Sequence, residues 1–206
     1  QSNLEIFIDK LDDKKPREEG RPPFKLVSSN VVIKDSRFQL INENLEKSKL
    51  LDFTKLEIES QDFQIFGPDV SAKINELSFK SRRGPFVERL RTDFKYSKTQ
   101  MRFDSLSIKT KASNLTGNLV FDYERKDFKD FINKVKIDAN FEDSNIALDD
   151  VNMLYNEFGK GKIVNFSSQV SGVLNDLNTT KLMLFSDDTG VRGDFNFKNL
   201  FSNLVK

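Results

Sequence analysis

Apolar and polar residues alternate with a period of two along most of this chain. From Phe24 onward the apolar positions fall as Val31 and Ile33, Phe38 and Leu40, Leu56 and Ile58, Phe63 and Ile65, then Val70, Ala72 and Ile74, with polar residues between them. Residues i and i+2 of an extended strand share a face, so each run predicts a strand with one apolar and one polar side. The series goes on through Leu77 and Phe79, Leu90 and Phe94, Leu106 and Ile108, Leu115 to Tyr123, and Val135 to Phe141. It closes with Val164 to Leu174, Leu182 with Leu184, and Val191 to Phe197. Together these runs predict roughly a dozen one-sided strands.

Two segments change period. Phe128, Phe131, Ile132 and Val135 stand at i, i+3, i+4 and i+7, as do Val151, Leu154, Tyr155 and Phe158. This is the stripe of a short amphipathic helix. The second segment carries Asp149 or Asp150 as N-cap candidates and Gly159 and Gly161 as stop signals. Both helices are expected to plug or cover an open end of the sheet, with Val151, Leu154, Tyr155 and Phe158 packed on its apolar face.

Two patterns recur. Ile33 to Leu40, Ile58 to Ile65 and Phe141 to Leu148 each read apolar, four polar residues, apolar-x-apolar, which predicts a strand end, a polar turn and a new strand. Phe53-x-x-Leu56-x-Ile58, Ile74-x-x-Leu77-x-Phe79 and Phe103-x-x-Leu106-x-Ile108 share a step of three followed by two. A step of three breaks strict alternation, so each copy predicts a tight turn or a bulge that keeps both flanks on one apolar face. Such repetition suits an elongated sheet in which each unit contacts its neighbours.

At the N-terminus, Leu4, Ile6 and Ile8 form a short alternation, followed from Asp9 to Pro23 by a charged stretch holding Pro16, Gly20, Pro22 and Pro23. That composition favours extended, unpacked chain. The organisation expected is therefore an N-terminal strand and Pro-rich linker over residues 1–23 and a repetitive β-domain over 24–206, a section of a longer protein.

Composition narrows the chemistry. Among 206 residues there is no Cys and no His, which excludes disulfide frameworks, thiolate or imidazole metal sites and His-dependent catalysis. With 33 Lys+Arg against 32 Asp+Glu the net charge is +1, unlike a dedicated nucleic-acid binder. No run approaches the roughly 18 apolar residues needed to cross a bilayer as a helix. Gly159-Lys160-Gly161-Lys162 follows a helix, where a phosphate loop would precede one. Asp143, Asp149, Asp150, Asp187 and Asp188 lack calcium-loop spacing and suit turns and caps. Arg82-Arg83-Gly84-Pro85 is a basic turn, either solvated or facing an anionic headgroup or partner. No catalytic site, metal or cofactor is expected, and the chain reads as non-enzymatic.

The apolar faces leave two architectures open. Two sheets packed face to face would hide them in a sandwich; a single sheet curled on itself would make its concave side an apolar trough suited to acyl chains.

The stretch from Phe103-Asp-Ser-Leu106-Ser-Ile108-Lys-Thr110 to Gly117-Asn-Leu119-Val-Phe121-Asp-Tyr123 resembles the strand repeats of the AsmA-like superfamily, in particular its TamB-like members, the inner-membrane components of the translocation and assembly module. Leu148 to Gly161, with the helix and glycine turn, and Phe166-Ser-Ser-Gln-Val170-Ser-Gly172-Val-Leu174 are similar to the same family. The motifs are degenerate and spread over most of Phe24 to Phe201. The charged Pro-rich stretch departs from the pattern, and the family's membrane anchor and C-terminal domain are not in this sequence. The resemblance implies an all-β, elongated, taco-like sheet with an apolar concave groove and two short amphipathic helices. It further implies a periplasmic segment of an inner-membrane-anchored protein that conducts phospholipid or another acyl-chain lipid between the membranes, or supports assembly of an outer-membrane β-barrel partner. The residues expected to line the groove are Ile33, Phe38, Leu40, Ile58, Phe63, Ile65, Ile108, Leu119, Phe121, Ile137, Phe141, Val164, Phe166, Val170, Leu184, Phe195 and Phe197. The rival reading is a sandwich or solenoid that recruits the barrel by strand addition.

Overall fold

Alternating sequence becomes one antiparallel sheet in which consecutive strands pair with one another. The computed structural model describes residues 22–41, 49–82, 84–153, 159–187 and 189–200. Residues 1–21 fall outside these, and with them Leu4, Ile6, Ile8 and most of the linker candidate. The strands are β1 (Lys25–Ile41), β2 (Lys49–Phe66), β3 (Asp69–Ser81), β4 (Phe86–Tyr96), β5 (Gln100–Lys109), β6 (Asn114–Asp122), β7 (Lys136–Ala147), β8 (Ile163–Val173), β9 (Asp176–Ser186) and β10 (Thr189–Lys198). At about 4.8 Å between neighbours, ten strands extend the sheet roughly 43 Å across the strand direction. It is all-β, curled, and not closed into a barrel; among the described residues β1 pairs only with β2, and β10 only with β9.

Ten strands stand where about a dozen runs predicted more, because the polar quartets of the eight-residue repeats are not turns. Each lies inside a single strand and holds a residue of positive φ: Asp35 (45°) in β1, Asp62 (52°) in β2 and Asp143 (46°) in β7. Asp and Ser reach the left-handed region more readily than most residues, which serves a bulge as well as a turn. The step-of-three pattern resolves as bulges. Lys55 (51°) and Ser105 (51°) have positive φ, and the register slips between Ile74 and Leu77. Lys181 (53°) adds a further bulge in β9. A bulge places an extra residue on one strand of a pair and bends it. Repeated across the sheet, the bulges curl it.

The strained residues are held from neighbouring strands. The backbone N–H of Ser105 donates to Asn118 Oδ1 (2.8 Å) and that of Lys181 to Asp194 Oδ1 (2.8 Å). The Thr92 hydroxyl donates to the Asp104 carbonyl (2.8 Å), and beside Asp143 the Ser144 hydroxyl accepts from the Thr116 N–H (3.0 Å). Thr92 and Ser144 are buried, so these hydroxyls satisfy backbone groups that the interrupted ladder leaves without a partner.

A 3-10 helix (Arg125–Asp130) running into α1 (Phe131–Lys134) joins β6 to β7, as the first helical stripe predicts. Val135 is fully buried at its end, and Phe131 lies 5.7 Å from Phe121, centroid to centroid. The helix α2 (Leu148–Asn152) follows β7. Asp149 and Asp150 do not cap it: Ala147 holds the N-cap position, and the two carboxylates sit in the first turn facing elsewhere. Asp149 accepts from the Gly161 N–H (3.1 Å), while Asp150 accepts from the hydroxyls of Thr110 (2.6 Å) and Ser113 (2.5 Å), tying α2 to the β5–β6 turn. Because α2 begins directly from β7, no polar residue stands at its N-cap. Val151 is half-buried; Leu154, Tyr155 and Phe158 lie outside the described residues.

Candidate functional site: the apolar face

The inter-strand register sorts the apolar residues into rows that cross the sheet. One row runs Val70, Tyr96, Met101, Phe121, Ile137, Gly172, Leu177, Phe197, each opposite the next. A second runs Ala72, Phe94, Phe103, Leu119, Ala139, Val170, Thr179, Phe195, and a third joins Ile33, Ile58, Leu77, Leu90, Ile108 and Leu115. Phe38 faces Phe53, Ile146 faces Val164, and Phe166 faces both Ser144 and Leu184. Directly opposed residues lie on the same side of a sheet, so these ladders assemble one apolar face from separate strands.

The expected lining residues fall on these strands as follows. Ile33, Phe38 and Leu40 lie on β1, Ile58, Phe63 and Ile65 on β2, Ile108 on β5, and Leu119 and Phe121 on β6. Ile137 and Phe141 lie on β7, Val164, Phe166 and Val170 on β8, Leu184 on β9, and Phe195 and Phe197 on β10. For Leu40 only the backbone pairing with Leu51 is described. The register also brings in residues the list omits: Phe53, Ile74, Leu77, Phe79, Leu90, Phe94, Met101 and Phe103. Most stand in the same alternating runs, and their neighbours' faces identify them.

Ring contacts follow the rows. Phe53 lies 4.5 Å from Phe79, Phe94 lies 5.2 Å from Phe103, and Phe141 lies 5.6 Å from Phe166, while Phe103, Phe121 and Phe131 form a chain at 6.2 and 5.7 Å. Such pairs contribute about 0.5–1.5 kcal/mol each beyond area burial. The side chains are nevertheless only half-covered. Ile65, Leu106, Ala139 and Leu182 are buried, but Phe63, Phe103, Phe121, Phe141 and Phe166 are intermediate, and Ile33, Phe38 and Phe195 are 37 to 40% exposed. Among the described residues the strands pack substantially only on their immediate neighbours, with no second sheet over this face. The sandwich alternative is therefore not what the chain builds.

The opposite face is polar over its centre. Lys95 faces Arg102, then Val120, Asp138, Ser171, Asn178 and Asn196 follow in register. The Asn196 amide donates to Asn178 (2.7 Å) and Arg102 meets Asp104 (3.0 Å). Depressions on this side are shallow; one of about 520 Å³ is lined by Arg102, Asp104, Asn118, Val120, Asp122, Asp138 and Asn140. Among the described residues no group of carboxylates is placed to hold a metal ion, and no helix is long and apolar enough to cross a membrane.

At one end of the strands Tyr123 is buried under the 3-10 helix, its ring 4.6 Å from Phe128, and its hydroxyl donates to the Ser97 carbonyl (2.9 Å). Burial, reinforced by the neighbouring Tyr96, pushes the phenol's pKa up.

The chain matches no protein-family model, no curated protein and no solved structure.

Proposed function

We propose that this chain is a non-enzymatic lipid-conducting segment, whose curled sheet shields acyl chains of phospholipid on its apolar side as they cross an aqueous compartment. The observation that carries this reading is the continuous apolar face, ten strands long and half-exposed, with no second layer over it among the described residues. An uncovered apolar surface of this extent normally marks a binding surface, and acyl chains suit it because they need no polar partner. The AsmA-like and TamB-like resemblance supplies the setting: a periplasmic bridge anchored in the inner membrane and reaching toward the outer one. The test is photo-crosslinking in cells. A crosslinker at Phe121 or Phe166 is expected to capture lipid; capture no greater than at the outward-facing Asp138 contradicts the reading.

A second reading, recruitment of an outer-membrane barrel by strand addition, draws on a different observation. Among the described residues β1 and β10 each leave one edge without a strand, and an open edge accepts an extended segment through main-chain hydrogen bonds. Crosslinks from edge positions such as Val32 to a protein, with none from Phe121 to lipid, would favour it.

A further inference from the structure

The polar face changes character along its strands. Over its centre several asparagines are taken up by neighbours: Asn118 accepts from the Ser105 N–H (2.8 Å), Asn140 donates to Glu142 (2.6 Å) and Asn178 accepts from Asn196 (2.7 Å). At the strand end that carries the β7–β8 connection, Asn114, Asn145, Asn165 and Phe185 stand opposite one another in turn on β6, β7, β8 and β9. Asn165 lies between Val164 and Phe166, and Phe185 follows Leu184, so this row projects from the side opposite the apolar rows. Its three amides are exposed, and among the described residues no side-chain hydrogen bond engages them.

Phe185 ends the row. It is 39% exposed and stands opposite Gly190 of β10, where a Cβ would meet its ring carbons at 2.2 and 2.4 Å. The glycine thus makes room for the ring to rest against the neighbouring strand while part of it stays open to solvent. Met183 stands two residues away on the same side, and with Asp143, Asn145, Asn165, Ser167 and Phe185 it lines an open depression of about 320 Å³.

A side-chain amide offers donors and an acceptor together, which suits the vicinal hydroxyls of a sugar, and sugar C–H bonds pack on the negative face of an aromatic ring. Neighbouring strands set successive amides about 4.8 Å apart, close to the advance of one sugar in an extended, β-linked glycan. From Asn114 to Gly190 the row carries no charged residue, so it matches an uncharged chain.

We infer that this strip is a binding site for a neutral, extended oligosaccharide, with one sugar ring on Phe185 and the hydroxyls of the following sugars on Asn165, Asn145 and Asn114. The inference is independent of the lipid reading, because none of these residues belongs to the apolar rows.

The test titrates cellohexaose into the full chain by isothermal calorimetry, with maltohexaose, whose α-links curve the glycan, as the comparison. Cellohexaose is expected to bind and maltohexaose to bind much more weakly. Phe185→Ala should weaken cellohexaose binding by about tenfold and Asn145→Ala or Asn165→Ala by about fivefold each, the scale of one lost aromatic or hydrogen-bonding contact. Phe185→Tyr keeps a ring and should retain binding, as should Asp138→Ala, which lies on the same face outside the strip. The Asn145 and Asn165 variants remove no hydrogen bond within the described chain and should melt at the wild-type temperature, so their loss of affinity reads the site and not the fold. Absence of binding at millimolar cellohexaose overturns the proposal. So does equal binding of maltohexaose, or cellohexaose binding that Phe185→Ala and Asn165→Ala leave unchanged.

Discussion

Phe94 and Phe103 face each other on β4 and β5 with their rings 5.2 Å apart; one residue further along, Lys95 faces Arg102. The same two backbones thus present an aromatic pair on one side and a like-charge pair on the other, with Arg102 balanced by Asp104 at 3.0 Å. The two faces hold the sheet by different means. On the apolar face, partial burial and ring contact contribute at every position. On the polar face, exposed ion pairs contribute about 0–1 kcal/mol each, so most of its residues matter for solvation rather than for folding. The exceptions are residues that satisfy a bulge, such as Asn118 and Asp194. Substitutions should therefore be unequal across the sheet, and the inequality can be measured.

The largest effect is expected where the apolar rows leave no room. Gly172 has φ of 118°, and a Cβ there would stand 2.3 Å from the Asp176 carbonyl oxygen. Gly172→Ala should cost about 2–3 kcal/mol through backbone displacement. Its outward neighbour Ser171→Ala should stay within about 0.5 kcal/mol; urea denaturation of both proteins checks the contrast.

Phe121→Asp comes next. It removes a half-buried ring between Phe103 and Phe131, for a loss of about 1–2 kcal/mol in stability, and puts a carboxylate where an acyl chain offers it no partner. Lipid loading should fall far more than stability does. Asp138→Ala, one register position away on the outer face, should change neither; equal effects from the two variants would remove the distinction between the faces.

Asn118→Ala probes the exception. Its side-chain oxygen accepts the N–H of the strained Ser105, so its loss should cost about 1 kcal/mol. Asn196→Ala, which loses only contacts between exposed side chains, should be close to neutral by the same measurement.

The smallest effect is a pH dependence. The Tyr123 phenol has its pKa raised in the folded chain by burial and by Tyr96. Its contribution is fully present below the unfolded tyrosine value of about 10 and is lost as pH rises above that through the folded value. Thermal stability followed above pH 10 should fall less steeply in Tyr123→Phe than in the wild type.

How much of this could be read in the sequence depends on which residue types have one structural use. Alternation has one use, and it gave the single apolar face, because a strand places i and i+2 together whatever it pairs with. The steps of three at Phe53 to Leu56, Ile74 to Leu77 and Phe103 to Leu106 were legible as breaks in alternation for the same reason. Polar quartets have two uses. Asp35, Asp62 and Asp143 sit in bulges within strands, yet the composition of a bulge and of a hairpin turn is the same, since both recruit residues that tolerate positive φ. Asp149 and Asp150 illustrate a second limit. Their position before an apolar stripe suggests a cap, but their partners lie on β5, β6 and the β7–β8 connection, which sequence spacing does not reveal.

The central claim is that the apolar face holds acyl chains, and the most direct measurement is mass spectrometry of lipid carried through purification by the chain, with Phe121→Asp prepared in parallel. The account predicts phospholipid with the wild type and its loss from a folded Phe121→Asp protein. Wild-type chain free of lipid, or equal lipid on both proteins, would contradict it.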